Sequence, residues 1–597
     1  MYDKKAATKK IPFGVSDYEK IVTGNYYYVD KTAYLRNLEQ AGDYLFFIRP
    51  RRFGKTLLLS VMETYYDILK KSRFEFFYKN TEIFKSPTRE RNSYLILKFN
   101  FSMINPDIEY LEDSFLDYIL EVGEGFISNY KELLKVNEKE RVKELKSKKT
   151  ASDVLRFLVW LCKKSGQKLF VIIDEYDNFS NTILSTAGSD NYTDLTHGEG
   201  FFKSFFNVLK GWTSGSDAPI SRLFMTGVSP ITLDDVTSGY NIGKNISIDP
   251  GFNRLLGFTE KDVIELIKYY RAEGLIKHDT GYLLGIMKQW YNNYTFSKES
   301  RTSLFNSDMV LYFLDEYFKV FRVPDDLIDR NARMDYGKLR HLIIIDNKGK
   351  QEPNGNFTRL RQIIEDGEVS EKLKKGFPFE EMELPENFVS LLFYFGLLTT
   401  AGTREGKVLF KIPNQTVKSL YYDYIIRISQ EIDLMNVNMG KLDNLLHGMA
   451  YRGDWEAFFG YISKRMKAST AVRDFIREEK VIQGFLPAYL GISDYFIVHS
   501  EKELNMGYAD IVMEPFLARY EGIKYSYLVE IKYIPKAEGK GKKALESKTR
   551  QLKSEAEAQL KRYKEDEKFR KTIGKTALIK LVLIFSGNQL EYIGKAD

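Results

Sequence analysis

The 597-residue sequence contains one cysteine, Cys162, and only five histidines. A lone thiol excludes an intrachain disulfide and any zinc site built from several cysteines, and so few imidazoles argue against a histidine-rich metal centre. Long apolar runs are also missing. The longest, residues 391–398, is interrupted by Gly396 and falls far short of the ~20 residues a membrane helix needs. The opening Met1-Tyr2-Asp3-Lys4-Lys5 leads into no apolar signal core. These absences set the expectation of a cytoplasmic protein with no membrane partner. Nor is there a large excess of one charge: the formal net charge of +7 permits nucleic-acid binding without demanding it.

What is present is ordinary in bulk and specific in places. Hydrophobic and charged fractions of 43% and 29% belong to soluble globular protein, and the length predicts three or four domains with their own cores. The first specific stretch is Arg49-Pro50-Arg51-Arg52-Phe53-Gly54-Lys55-Thr56, which closes the apolar run Tyr44-Leu45-Phe46-Phe47-Ile48 and precedes a helix-spaced Leu57-Leu58-Leu59. Strand, tight loop, Gly-Lys-Thr and helix is the layout of a phosphate-binding loop: backbone N–H groups face an anion, the lysine reaches the outer phosphates, and the hydroxyl holds Mg²⁺. Residues Arg51, Arg52, Phe53, Gly54, Lys55, Thr56 and Leu57 are the expected nucleotide contacts. The head is unusual, because Arg49 stands where a glycine is usual and Pro50 lacks an N–H donor. Upstream, Tyr26-Tyr27-Tyr28-Val29 reads as a strand followed by a helix over residues 33–38.

Lys168-Leu169-Phe170-Val171-Ile172-Ile173-Asp174-Glu175 has the pattern of a central parallel strand with carboxylates at its C-terminal end, where α/β sheets bind ligands. Asp174 is then a ligand of the Mg²⁺ shell and Glu175 the residue that orients attacking water. A third strand over residues 222–230 ends in Thr226 and Ser229, at the place of a γ-phosphate sensor, although a strand entering a turn reads the same way. Residues 251–289 read as a helical lid, with Thr259 as N-cap and Asp262 three residues on. Residues 138–146 alternate charge sign, as a solvated helix face does. Farther on, a helix over Asn387 to Tyr394 followed by a hairpin through Ile412 fits a winged helix-turn-helix, either a DNA contact or a spacer.

The C-terminal stretch carries a second set of acids. Asp510 lies on a strand, and the next strand carries Glu530-Ile531-Lys532. The two-residue period puts Glu530 and Lys532 on one face. Carboxylates on paired strands bind Mg²⁺, and a neighbouring lysine orients water against a phosphodiester. Glu479 lies on a preceding helix, Gln559 and Tyr563 share one face of a following helix, and residues 536–553 read as a mobile basic loop.

Ile11-Pro12-Phe13-Gly14, Tyr28-Val29-Asp30-Lys31-Thr32, the residue 49–56 loop, Ile173-Asp174-Glu175-Tyr176-Asp177 and Leu256-Gly257-Phe258-Thr259-Glu260 together resemble AAA-ATPase-like proteins that carry a C-terminal domain of the PD-(D/E)xK nuclease superfamily. The resemblance implies a multidomain α/β protein. Its parts are an AAA-ATPase-like nucleotide-binding domain (1–250), a helical lid (251–345), a winged-helix-like middle region (346–450) and a restriction-endonuclease-like α/β domain (451–597). It makes Arg-Pro-Arg-Arg the family's own form of the loop. It also implies Asp510, Glu530 and Lys532 as the nuclease core, Glu479 as the helix acid, and Gln559 with Tyr563 as an accessory helix motif. Ala509 departs from the usual proline before the first acid. The expected activities are ATP hydrolysis and Mg²⁺-dependent cleavage of nucleic acid, DNA ahead of RNA, in mobile-element or defence biology, with homo-oligomerisation left open. The alternative is a nucleotide-switched scaffold whose nuclease fold binds without cleaving.

Overall fold

The structure is a computed structural model and describes residues 7–105, 107–178, 200–215, 217–230, 243–329, 344–347, 350–353, 355–378, 381, 384–431, 435–468, 479–504, 507–535, 541–563 and 566–596. The chain forms two compact units. The first comprises Met1–Arg322 with Ser370–Phe410, and the second Val323–Val369 with Lys411–Asp597.

In the first unit the sheet consists of strands β1 (Tyr44–Ile48), β2 (Leu95–Asn100), β3 (Leu169–Asp174), β4 (Ile220–Gly227) and the short β5 (Lys244–Asn245), of which β1, β3 and β4 are the expected apolar runs. They lie in the order β2-β3-β4-β1-β5, and every pairing is parallel. Every residue of β3 is buried, as a strand covered on both faces requires. The loop after β1 feeds helix α1 (Lys55–Tyr66), and so stands at the C-terminal edge of the sheet.

Two local expectations change. Tyr26-Tyr27-Tyr28-Val29 forms only a single bridge, Lys10 with Tyr26. Its rings pack outward from the backbone instead, Tyr28 edge-on to Tyr18 at 5.1 Å and Tyr27 against Tyr269 at 5.1 Å. Residues 251–289 are not one helix. A short 3₁₀ turn, Pro250–Phe252, is followed by helices Glu260–Ala272 and Thr280–Tyr291, with Gly274 at φ +79° ending the first. The Thr259–Asp262 capping box is present as read.

Helix Pro385–Tyr394 and strands Thr399–Arg404 and Lys407–Lys411 supply the expected helix-then-hairpin order. Residues 385–410 are built into the first unit. Gly396, at φ +77°, lies so close to the phosphate-loop head that a Cβ there would sit 2.7 Å from Pro50 Cγ.

The second unit is organised on strands β6 (Phe496–Leu504), β7 (Gly507–Pro515), β8 (Tyr525–Tyr533), β9 (Ala577–Ser586) and β10 (Gln589–Lys595), in sequential order. Only β8 and β9 pair parallel; the other pairs are antiparallel. Helices α2 (Glu479–Leu490) and α3 (Lys542–Tyr563) complete the part that carries the acids. The expected basic loop over residues 536–553 is helix from Lys542 onward, while residues 536–540 lie outside the described residues. Lys, Glu, Gln, Ala and Leu are strong helix formers. Leu545, Leu552, Ala556, Leu560 and Tyr563 also recur at helical spacing and pack into the same core as Ala509, Val512 and Leu528. Among the described residues, no helix is long and apolar enough to cross a membrane.

Candidate functional sites

The loop of the first unit turns through two left-handed residues, Arg52 at φ +66° and Gly54 at φ +93°. Gly54 caps α1 with no side-chain bond to the helix N-terminus, which leaves backbone N–H groups facing outward from Lys55 and Thr56. Lys55 Nζ donates to the carbonyl oxygens of Arg49 and Pro50, both at 3.0 Å. The Thr56 hydroxyl donates to Asp174 Oδ2 at 2.8 Å, and Asp174 Oδ1 accepts from the Glu175 N–H at 3.0 Å.

Burial pushes the Asp174 carboxyl above its ordinary range, while the Thr56 bond and the Lys55 charge pull it back. Burial lowers the Lys55 ammonium, opposed by the charges of Glu175, Asp174 and Asp177. Glu175 adopts φ +50°, a conformation that a non-glycine residue holds only when its surroundings impose it.

Arg49 does not face the loop's mouth. Its guanidinium donates to the carbonyls of Ile48 at 2.9 Å, Ser247 at 2.5 Å and Phe252 at 3.0 Å, and lies 4.3 Å from the ring centroids of both Phe47 and Phe296. Burial draws its pKa down to about 9, which leaves it charged at neutral pH. The glycine position is thus occupied by a side chain that anchors the loop from beneath. Arg52 donates to Asp308 Oδ2 at 2.9 Å, and Phe53 packs edge-on against Tyr294 and Phe296. These side chains hold the loop from its flanks. Leu57 is half-buried in the first turn of α1, as is Arg51 in the loop.

Thr226 is buried and donates to Phe47 O at 2.7 Å, while Ser229 is buried with its N–H given to Asp177 Oδ2 at 2.5 Å. Asp177, which also accepts from Val228 N–H at 3.0 Å, was given no role in the sequence reading. It was legible only as the last acid of Asp-Glu-Tyr-Asp.

In the second unit, Ile511 pairs with Val529, so the next step of the register brings Asp510 opposite Glu530. Asp510 Oδ2 accepts the Ile531 N–H at 2.6 Å and Oδ1 accepts from Gln483 Nε2 at 2.9 Å. Lys532 Nζ donates to Glu530 Oε1 at 2.8 Å, with Glu530 only 1% exposed and Lys532 16%. The three expected core residues therefore converge.

Tyr563, on α3, donates its hydroxyl hydrogen to the Tyr508 carbonyl at 2.9 Å. Burial raises its phenol, and the charges of Glu530 and Asp510 raise it further, which places it beside the acids. Gln559 turns a buried Oε1 that finds no hydrogen-bond partner among the described residues. Glu479 stands in the first turn of α2; its side chain lies outside the described residues. Gln483 was missed, although its spacing one turn beyond Glu479 put it on the same helix face.

Both donor sets suit Mg²⁺. They are carboxylate and hydroxyl oxygens, and Mg²⁺ is held by one or two carboxylates plus water and phosphate rather than by an all-protein cage. No group of three or more His, Cys, Asp or Glu is gathered for a metal among the described residues.

A Gly-Lys-Thr turn between a parallel strand and a helix, facing an aspartate at the end of a nearby strand, defines a phosphate-loop nucleotide-binding unit. A mixed sheet with Asp and Glu-x-Lys on adjoining strands defines a nuclease-type unit. The comparisons agree. Residues 12–237 match the family of predicted AAA-ATPases (AAA-ATPase-like), and residues 477–594 match the PD-(D/E)XK nuclease superfamily. Residues 12–237 thus carry an AAA-ATPase-like domain and residues 477–594 a PD-(D/E)XK superfamily domain.

An uncharacterized protein in the vnfD 5′ region of Azotobacter chroococcum mcd 1 is 27% identical over 319 residues, 52% of this chain and 53% of that protein. The chain therefore spans about half the length of the curated relative it matches. Among solved structures, Cdc6p from Pyrobaculum aerophilum aligns at 14% identity over 72% of this chain and 97% of its own, with a TM-score of 0.23. The Aeropyrum pernix ORC2 protein aligns at 11% identity over 71% and 94%, with a TM-score of 0.24. At these TM-scores neither likeness bears on the assignment.

Proposed function

We propose that the protein is an ATP-hydrolysing, Mg²⁺-dependent nuclease in which the nucleotide unit governs cleavage of nucleic acid by the C-terminal unit. The observation that carries this reading is the convergence of Asp510, Glu530 and Lys532, with Gln483 on Asp510 and a buried Gln559 oxygen that has no hydrogen-bond partner among the described residues.

In the nucleotide unit, the N–H groups of residues 51–57 would cradle the phosphates. Lys55 would hold the outer phosphates, Thr56 and Asp174 would hold Mg²⁺, and Glu175 would orient water. Thr226 and Ser229, at the end of β4, would stand at the place of a γ-phosphate sensor.

In the nuclease unit, Asp510 and Glu530 would hold Mg²⁺, which when bound supplies Lewis-acid polarisation of the scissile phosphate. Glu479 lies on the helix that also carries Gln483, and Gln559 and Tyr563 support the cluster from α3. Lys532 stabilises the charge developing on the phosphate or aligns the attacking water. The first turns of α3 carry Lys542, Lys543, Lys548 and Arg550, which suit a phosphate backbone. This reading keeps DNA ahead of RNA as substrate, a cytoplasmic site of action, mobile-element or defence biology as the setting, and the four-part division at residues 250, 345 and 450.

The test is cleavage of single- and double-stranded DNA with Mg²⁺ by wild type, Asp510→Ala and Lys532→Ala, alongside phosphate release from ATP by wild type and Lys55→Ala. Cleavage lost in both nuclease variants, and hydrolysis lost in Lys55→Ala, are the expected results. Equal cleavage by all three proteins would overturn the nuclease assignment, and unchanged turnover in Lys55→Ala would overturn the nucleotide reading.

A further inference from the structure

Tyr508 is 61% exposed, whereas most aromatic side chains near the acidic cluster are buried. It lies on β7 two residues before Asp510, with buried Ala509 between them. Side chains two apart on a strand share a face at a spacing of about 7 Å, so the phenol stands on the same face as the Asp510 carboxylate.

Its backbone is held on both sides. Tyr508 pairs with Glu503 on β6, and its carbonyl accepts the Tyr563 hydroxyl at 2.9 Å. Gly507 lies so close to Tyr563 that a Cβ there would approach the hydroxyl to 3.0 Å. An exposed aromatic on a locked backbone loses little conformational freedom when something settles on its face. The Glu503 carboxylate across the ladder is unfavourable for a phosphate at this spot, which leaves the ring face for a neutral planar group. A nucleobase is such a group, and stacking on an aromatic ring requires a base freed from the duplex stack.

We propose that Tyr508 is a base-stacking platform beside the nuclease site, and that the substrate class is single-stranded nucleic acid whose scissile phosphate lies next to the stacked base. This rests on the nuclease reading for its site. Tyr508 takes no part in the chemistry; it sets strand specificity and register.

The experiment measures, without divalent metal, the affinity of the full chain for a fluorescent single-stranded oligonucleotide carrying 2-aminopurine and for the blunt duplex of the same sequence. It compares wild type, Tyr508→Ala and Tyr508→Phe, and cleavage of both substrates is then followed with Mg²⁺. The expected result is a loss of about 5- to 150-fold in single-strand affinity for Tyr508→Ala, with duplex affinity changed by less than about twofold. Tyr508→Phe should behave as wild type, and 2-aminopurine quenching should disappear only in Tyr508→Ala. Unchanged single-strand affinity in Tyr508→Ala, an equal loss on both substrates, or no single-strand binding by wild type would each overturn the platform. Selective loss of single-strand binding without Mg²⁺-dependent cleavage by wild type would support the platform and sink only the nuclease reading. Cleavage with unchanged affinities in Tyr508→Ala would do the reverse.

Discussion

Thr56 gives its hydroxyl hydrogen to Asp174 across 118 positions of sequence, at 2.8 Å. One bond therefore ties the first turn of the helix that follows the phosphate loop to the end of the central strand. The carboxylate it meets is 1% exposed.

That burial sets a sign for stability. With its carboxyl raised above the ordinary range, the folded chain binds more protons than the unfolded chain between the ordinary value and the raised one. Stability therefore falls as pH rises through that window, and the deficit persists to neutral pH. Asp174→Asn removes the charge and keeps one amide oxygen for two donors, the Thr56 hydroxyl and the Glu175 N–H. Without nucleotide, the melting temperature of wild type relative to that of Asp174→Asn should fall as pH rises from mildly acidic to neutral. ATP hydrolysis should be lost in the same variant.

Gly396→Ala should damage the phosphate loop from a distance. The left-handed conformation alone costs an alanine about 1–2 kcal/mol, and the new Cβ would press on Pro50 at 2.7 Å. Urea unfolding should show a loss of at least about 2 kcal/mol in the first unit, with weaker nucleotide binding in the protein that remains folded.

Arg49→Met removes the donors to the Ser247 and Phe252 carbonyls while keeping a flexible side chain between the rings of Phe47 and Phe296. Buried carbonyls left without a donor should lower stability by about 2–4 kcal/mol. Arg49→Lys should recover only part of it, because an ammonium cannot reproduce the planar fork.

Gln483→Ala tests positioning at the second site. Gln483 meets Asp510, which places it one step from the proposed metal. Mg²⁺-dependent cleavage should fall about 10- to 100-fold, with a higher Mg²⁺ requirement, while nucleic-acid affinity measured without metal stays at the wild-type value. Loss of affinity without metal would instead make Gln483 part of the substrate surface.

The features visible in the sequence were the local ones. Gly54-Lys55-Thr56 after an apolar run, Thr259 with Asp262, and Glu530 with Lys532 each follow from spacing within a few residues, and each has the backbone setting read for it. What escaped depended on distant parts of the chain meeting. The position of Arg49 appeared to be a defect because nothing local says that its side chain turns toward Ser247 and Phe252. Gln483 joins Asp510 only once α2 docks on the sheet. The basic stretch from Lys542 read as a loop because its charges are conspicuous. Its apolar residues at 545, 552, 556, 560 and 563 carry the helical period that packing selects.

The contact between Gly396 and Pro50 also bears on how the chain is made. The head of the phosphate loop is synthesised early, but the glycine it rests against emerges roughly 350 residues later, a delay of roughly 20–70 s at common elongation rates. Throughout that interval the nascent nucleotide unit is an unfinished structure, so the ribosome must carry most of the polypeptide before its first globule can close.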